Sequence, residues 1–298
     1  MSTTACRRWG VSDEVCRYGG KKLANGNCEH PGEDGLPVQS VGSWARKKHD
    51  RLRLYLDATR EVRRRFVPEG PKKAGAAFID LFAGPGRVRV RDCATTDLGS
   101  CAIAMEHSRV PFSRLIFCDA DADNARALSE RTREDARVSV IHGDCNERIG
   151  DIMELVPMNG LNLAFFDPFG AKTFHWKTLE ALAKARRMDL LMHFPTSTVK
   201  RNYGNKSNPR FEYVIDRMIG SADWRERVPG ARDAAKLITE LRERLSTLGY
   251  VRDEVRSVPV HSKGKLLYHL VFAAKSTTGT DIWNSIVRHD GAQRGFDL

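Results

Sequence analysis

The chain has 298 residues and 41% apolar content, enough for a sizeable core, and its formal charge of +11 favours a polyanionic partner. No apolar stretch approaches the roughly 20 residues that cross a bilayer, and residues 1–8 lack the apolar core of a signal peptide. A cytoplasmic protein without membrane contact is therefore expected.

Seven cysteines without an export signal argue against a disulfide framework, and Cys93, Cys101, Cys118 and Cys145 read as small buried residues. Residues 1–43 are polar, glycine-rich and aperiodic, and read as an irregular leader. Within it Cys6, Cys16, Cys28 and His30 are zinc-binding residue types. No Cys-x-x-Cys knuckle supports them, so unliganded thiols are the alternative to a zinc site. From 44 to 66, Trp44, Leu52, Tyr55, Leu56, Thr59, Val62 and Phe66 recur at helical steps, predicting one amphipathic helix capped by Ser43. Residues 45–73 carry 11 Lys or Arg against 4 Asp or Glu, a net +7, so this helix is expected to present a basic face to a polyanion or to solvent. The domain reading is a leader over 1–43 and one domain over 44–298.

Residues 78–87, Phe-Ile-Asp-Leu-Phe-Ala-Gly-Pro-Gly-Arg, read as a buried strand delivering a glycine turn. Gly84 and Gly86 let backbone approach a ligand, and Asp80 needs a partner for its charge. A basic extended stretch, 87–91, then precedes a helix over 100–106 with Ser100 as cap, leaving a loop over the site. Three further apolar runs each close on an acid: 114–119 at Asp119, 138–144 at Asp144 and 161–170 at Asp167-Pro168-Phe169-Gly170. Helix-compatible segments separate them, which argues a parallel sheet with acids along its carboxyl edge, where open α/β sheets bind ligands. The rest reads as a helix at 176–186, a strand at 190–194, a polar loop at 196–208 with Lys200, Arg201, Tyr203 and Lys206, a helix at 231–248, an antiparallel hairpin over 250–272 and a last helix at 280–289.

This order of strand, glycine turn and acid-tipped strands resembles the class I S-adenosylmethionine-dependent methyltransferases. The resemblance implies an α/β Rossmann-like fold, mostly parallel and seven-stranded, with a terminal antiparallel hairpin and helices on both faces. It implies that Asp80, Phe82, Ala83, Gly84 and Gly86 hold the amino-acid end of S-adenosylmethionine, that Asp119 and Ala120 meet the ribose, and that Asp144 and Cys145 meet the adenine. Asp167-Pro168-Phe169 stands where amino-group methyltransferases hold the acceptor, next to the cofactor, and looks like the Asp-Pro-Phe/Tyr-Gly element of tRNA guanine-N2 methyltransferases. Arg87, Phe169, Lys200, Arg201 and Tyr203 would meet the substrate.

Over residues 34–290 the chain resembles the three-Cys-motif partner proteins more closely. That likeness rests on Asp34-Gly35-Leu36-Pro37, the helix over 44–56, the segment 80–87, Gly99-Ser100, Asp167-Pro168-Phe169-Gly170, Phe194-Pro195 with Arg201, and residues 268–283. It implies a methyltransferase-like domain often encoded beside a protein that carries the three cysteines. The expectation is thus a methyltransferase acting on an exocyclic nucleobase amine in RNA or DNA; the alternatives are a non-catalytic partner of a neighbouring-gene enzyme and a small-molecule or peptide methyltransferase.

Overall fold

The computed structural model describes residues 20–22, 28–91, 95–106, 109–168, 170–202, 210–228, 233–262 and 264–293. Its principal sheet contains β1 (Ala76–Asp80), β2 (Arg114–Asp119), β3 (Val138–His142), β4 (Leu161–Phe166), β5 (Met188–Phe194), β6 (Arg256–Ser262) and β7 (Lys265–Ala273), in the order β6-β7-β5-β4-β1-β2-β3. The first five strands pair in parallel; β7 is antiparallel to both β5 and β6. This is the expected mostly parallel seven-stranded sheet with its terminal antiparallel hairpin. The chain reverses direction of travel across the sheet at β1, between β4 and β2, which places the ligand crevice outside the carboxyl ends of these three strands.

The central strands are apolar on both faces because both faces are covered. In β1, Ala77 and Ile79 join the core formed with Leu179, Ile215 and Leu237, while Ala76 and Phe78 join the opposite core formed with Leu52, Leu56, Leu128 and Trp283.

Three expectations are corrected. The helix foreseen over 44–66 divides into α1 (Trp44–Ala58) and α2 (Arg60–Arg64), because Thr59 turns its hydroxyl back to the carbonyls of Tyr55, at 2.7 Å, and Leu56. Nor does its charge all face outward: Lys48, Arg51 and Arg63 are buried. The described part of the leader is not irregular either. Its strands Lys21–Lys22, Cys28–Pro31 and Pro37–Val41 form a second sheet with Arg87–Val90 and Thr96–Leu98, so the basic stretch after the glycine turn is a paired strand. Finally, Cys28 is disulfide-bonded, against the expectation of free thiols and incompatible with a thiolate ligand to zinc. His30 is buried, Cys6 and Cys16 lie outside the described residues, and no metal-competent cluster occurs among the described residues.

Smaller differences follow local chemistry. Residues Thr196–Asn202 are helical rather than a loop, and the helices Arg210–Ile219 and Trp224–Arg227 were not foreseen. Phe169, Tyr203, Lys206 and Cys93 lie outside the described residues. Among the described residues no helix is long and apolar enough to cross a membrane.

Arg63 shows what the burial of α2 requires. Its guanidinium donates to Val110 O at 2.8 Å, Leu56 O at 3.2 Å and Thr59 Oγ1 at 3.3 Å, and stacks 4.3 Å from the Phe112 ring centre. Arg63→Ala would remove the side-chain donor to the buried Val110 carbonyl and open a void, and should cost about 3 kcal/mol in urea unfolding. Arg64→Ala, on the exposed side, should change stability by less than about 0.5 kcal/mol.

Candidate active site

The site assembles at the carboxyl ends of β1, β2 and β4. Asp80 ends β1 fully buried, with Oδ2 accepting from the Ser100 hydroxyl at 2.5 Å and Oδ1 from the Phe82 N–H at 3.2 Å. Burial pushes its carboxyl up to about 7 in spite of these bonds. Ser100 is thus a partner of Asp80, not the expected helix cap; Gly99 caps α3 (Ser100–Met105).

The turn after β1 places Gly84 and Gly86 at φ of +60° and +88°, a region unfavourable to side chains. Asp119, at the tip of β2, fixes this turn. Its Oδ2 accepts the Gly84 N–H at 2.7 Å, and its Oδ1 accepts from Asp121 N at 3.0 Å and Asn124 Nδ2 at 3.1 Å. Burial raises its pKa against these three bonds. A carboxylate offers about four acceptor positions, so room for one further hydrogen bond remains. Holding two ribose hydroxyls at once would require one present donor to move.

Beyond β3, Asp144 is exposed and accepts from the N–H and side-chain amide of Asn146 at 2.8 and 2.6 Å. Cys145 beside it is a buried free thiol whose pKa burial raises, which suits a wall rather than a reagent. Ala120 is exposed, Phe82 half-buried and Ala83 buried. The residues that could hold S-adenosylmethionine here are the Asp80 carboxyl, the bare backbone at Gly84 and Gly86, and the acceptors Asp119 and Asp144.

Asp167 follows β4 and carries two partners that the sequence did not reveal. Lys48, reaching from α1, ion-pairs with Oδ2; His193, at the end of β5, places Nδ1 3.0 Å from Oδ1. Burial alone would raise the Asp167 pKa, but the Lys48 charge and the His193 bond outweigh it and hold the carboxyl well below its ordinary range. The His193 ring lies against Tyr268 of β7, centroids 3.8 Å apart. Pro168 is buried, consistent with a fixed exit from the strand. Lys48 gave no local signal, since it sits in a run of basic residues; His193 was the one ionisable residue inside the apolar 190–194 run.

The remaining described residues expected to meet the substrate are placed as follows. Lys200 lines a cleft of about 740 Å³ with Asp233, Arg242, His261 and His269, Arg201 is exposed, and Arg87 is half-buried in the second sheet. A cavity of about 270 Å³ beside Tyr55, Asp189 and Lys275 opens at the opposite, amino edge of the sheet.

No protein-family model matches the chain, and no curated protein does. Among solved structures it is similar to M. jannaschii TYW2 in complex with AdoMet, at 11% identity and TM-score 0.40, covering 83% of this chain and 84% of that one. It is also similar to Trm1 from Pyrococcus horikoshii with S-adenosyl-L-methionine, at 10% identity and TM-score 0.43, over 81% of this chain but only 57% of that one. A third is N-methyltransferase NodS from Bradyrhizobium japonicum with S-adenosyl-L-homocysteine, at 13% identity and TM-score 0.40, covering 79% of this chain and 89% of that one. Likenesses this distant assign neither an activity nor a substrate.

Proposed function

We propose that the chain is an S-adenosylmethionine-dependent methyltransferase whose acceptor is an exocyclic amine of a nucleobase in RNA or DNA. The observation that carries the reading is the convergence, outside the switch point of the sheet, of Asp80, the Asp119-locked glycine turn and the Asp167-Pro168 element. Asp80 would bind the cofactor's ammonium, Asp119 its ribose and Asp144 its adenine amine. Bound there, S-adenosylmethionine supplies an electrophilic methyl group. The protein's part is then chiefly positioning: the Asp167-Pro168-Phe169 element holds the acceptor against the crevice, with Phe169 as a stacking face. The basic balance of the chain supports a nucleic-acid partner, through the exposed arginines Arg64, Arg65 and Arg201.

A second reading, a non-catalytic partner of the three-Cys-motif type serving a neighbouring enzyme, is favoured by one observation. Both Asp167 oxygens already have partners, Lys48 and His193, so the carboxylate is not poised as a free acceptor. Labelled-methyl transfer to bulk RNA and bulk DNA, with and without the neighbouring protein, separates the two. Labelling is expected; binding of cofactor without any labelling would favour the partner.

Cofactor binding has its own test. Asp80 is held up to about 7 by burial, and an ammonium partner would lower it, so binding releases a proton below that pH. Affinity measured by calorimetry should therefore rise as pH rises towards about 7, by at most about tenfold per unit, and level off above. Asp80→Asn should weaken binding and flatten this dependence. Asp119→Ala, which frees the Gly84 turn, should weaken binding about tenfold or more at every pH.

A further inference from the structure

We propose that His193 is the general base of the transfer, held by Asp167 as a positioning residue, and that the acceptor therefore presents an N–H or O–H whose proton leaves to His193 Nε2. This rests on the methyltransferase reading above and changes the role of Asp167 within it.

The geometry gives the imidazole a defined direction. Nδ1 lies 3.0 Å from Asp167 Oδ1, an ionised acceptor, so Nδ1 carries the hydrogen and, in the neutral ring, Nε2 is the lone-pair nitrogen. Among the described residues Nε2 has no hydrogen-bond partner, and the His193 side chain retains 20% exposure at the end of β5, beside the tip of β4. The Tyr268 ring against the imidazole limits its rotation. Lys48 occupies the other oxygen of Asp167 and keeps that carboxylate ionised, so the pair at Oδ1 is an anion facing a ring that becomes cationic on taking a proton. This is the division of labour of an aspartate that orients a histidine and stabilises its imidazolium without itself being protonated.

The step balances without another reagent. The acceptor's lone pair forms the new bond to the methyl carbon, the carbon–sulfur bond breaks with its electron pair retained on sulfur, and the acceptor's proton passes to Nε2 and from there to solvent. An acceptor nitrogen or oxygen without a removable hydrogen would have no use for the site. An acceptor amine would thus donate to His193 rather than to Asp167, which answers why both Asp167 oxygens are engaged.

The charged and titratable groups around the dyad are Lys48, His49 and Arg51 of α1, Asp80 of β1 and Tyr268 of β7. His49 is held down to about 3 by burial and Tyr268 is pushed up by burial, so both are neutral between pH 5 and 9. Asp80 titrates in that window, so the pH profiles are taken at saturating cofactor, where its effect on affinity drops out.

The experiment has two arms. In cofactor-free protein with ¹⁵N-labelled histidine, nitrogen shifts should show His193 as the Nδ1–H tautomer, and Asp167→Asn should shift it towards the other tautomer. In labelled-methyl transfer to bulk RNA and bulk DNA, His193→Gln should lower kcat by about 100-fold or more and abolish the acid limb of the pH profile. Cofactor affinity should change less than about threefold, and added imidazole should partly rescue His193→Ala. An Nε2–H tautomer in the wild type, or His193→Gln with its rate and acid limb intact, would overturn the base while leaving the methyltransferase reading standing. Wild-type protein that labels neither nucleic acid would remove the reaction and the base together.

Discussion

The Asp167 carboxylate joins three stretches that are far apart in sequence: α1 through Lys48, the end of β4 where it stands, and the end of β5 through His193. A half-buried anion at a strand tip is costly unless its acceptor positions are filled. Here one oxygen meets an ammonium and the other an imidazole. Lys48 can reach only because α1 docks Leu52, Tyr55 and Leu56 into the core on the same face, which brings its first turns over the carboxyl edge. The charge balance at Asp167 thus depends on the docking of one helix.

A comparable tie organises the glycine turn. In the simplest nucleotide-binding arrangement a helix follows such a turn directly; here Gly86 runs into the strand Arg87–Val90, and α3 begins only at Ser100. The detour is held shut by Gly99 N–H donating to Gly86 O at 2.9 Å and by the pairing of Arg87–Val90 with Pro37–Val41. Arg131, from the helix Ala122–Thr132, completes the closure with a fork to Asp34 at 2.8 and 2.9 Å and bonds to the carbonyls of Pro37 and Pro85. That fork holds the Asp34 carboxyl down to about 2, so its contribution to stability is present above the ordinary aspartate range and lost as pH falls towards that value. The segment before α1 is therefore tied to the glycine turn through Arg131 and the second sheet.

Local signals made most of this legible. Apolar runs ending in an acid located β1, β2 and β4 and placed Asp80, Asp119 and Asp167 at one edge, because a strand's tip is the only part of a buried strand where a carboxylate is affordable. What stayed hidden depends on contacts across long sequence separations. Lys48, Arg51 and Arg63 sit in a run rich in charge and read as solvent-facing, yet each is buried; for Lys48 and Arg63 the acceptors, Asp167 and Val110 O, lie 119 and 47 residues away. The second sheet was equally hidden, since its strands are short, polar and paired between the leader and the loop after the turn. Ser100 illustrates the same limit on a smaller scale: a serine at a helix start reads as a cap, but a buried carboxyl 2.5 Å away is the stronger claimant for its hydroxyl.

These two ties bear differently on chemistry. The Asp80 and Asp119 bonds are made largely within the sheet and its turn, where both carboxyls are buried. The Asp167 bonds instead join separate layers and leave one nitrogen of His193 without a partner. The His193 side chain is partly exposed, so solvent can satisfy that nitrogen until an acceptor takes its place. Leaving it directed away from Asp167, against an aromatic ring and beside the crevice, is the geometry expected where a proton must be received.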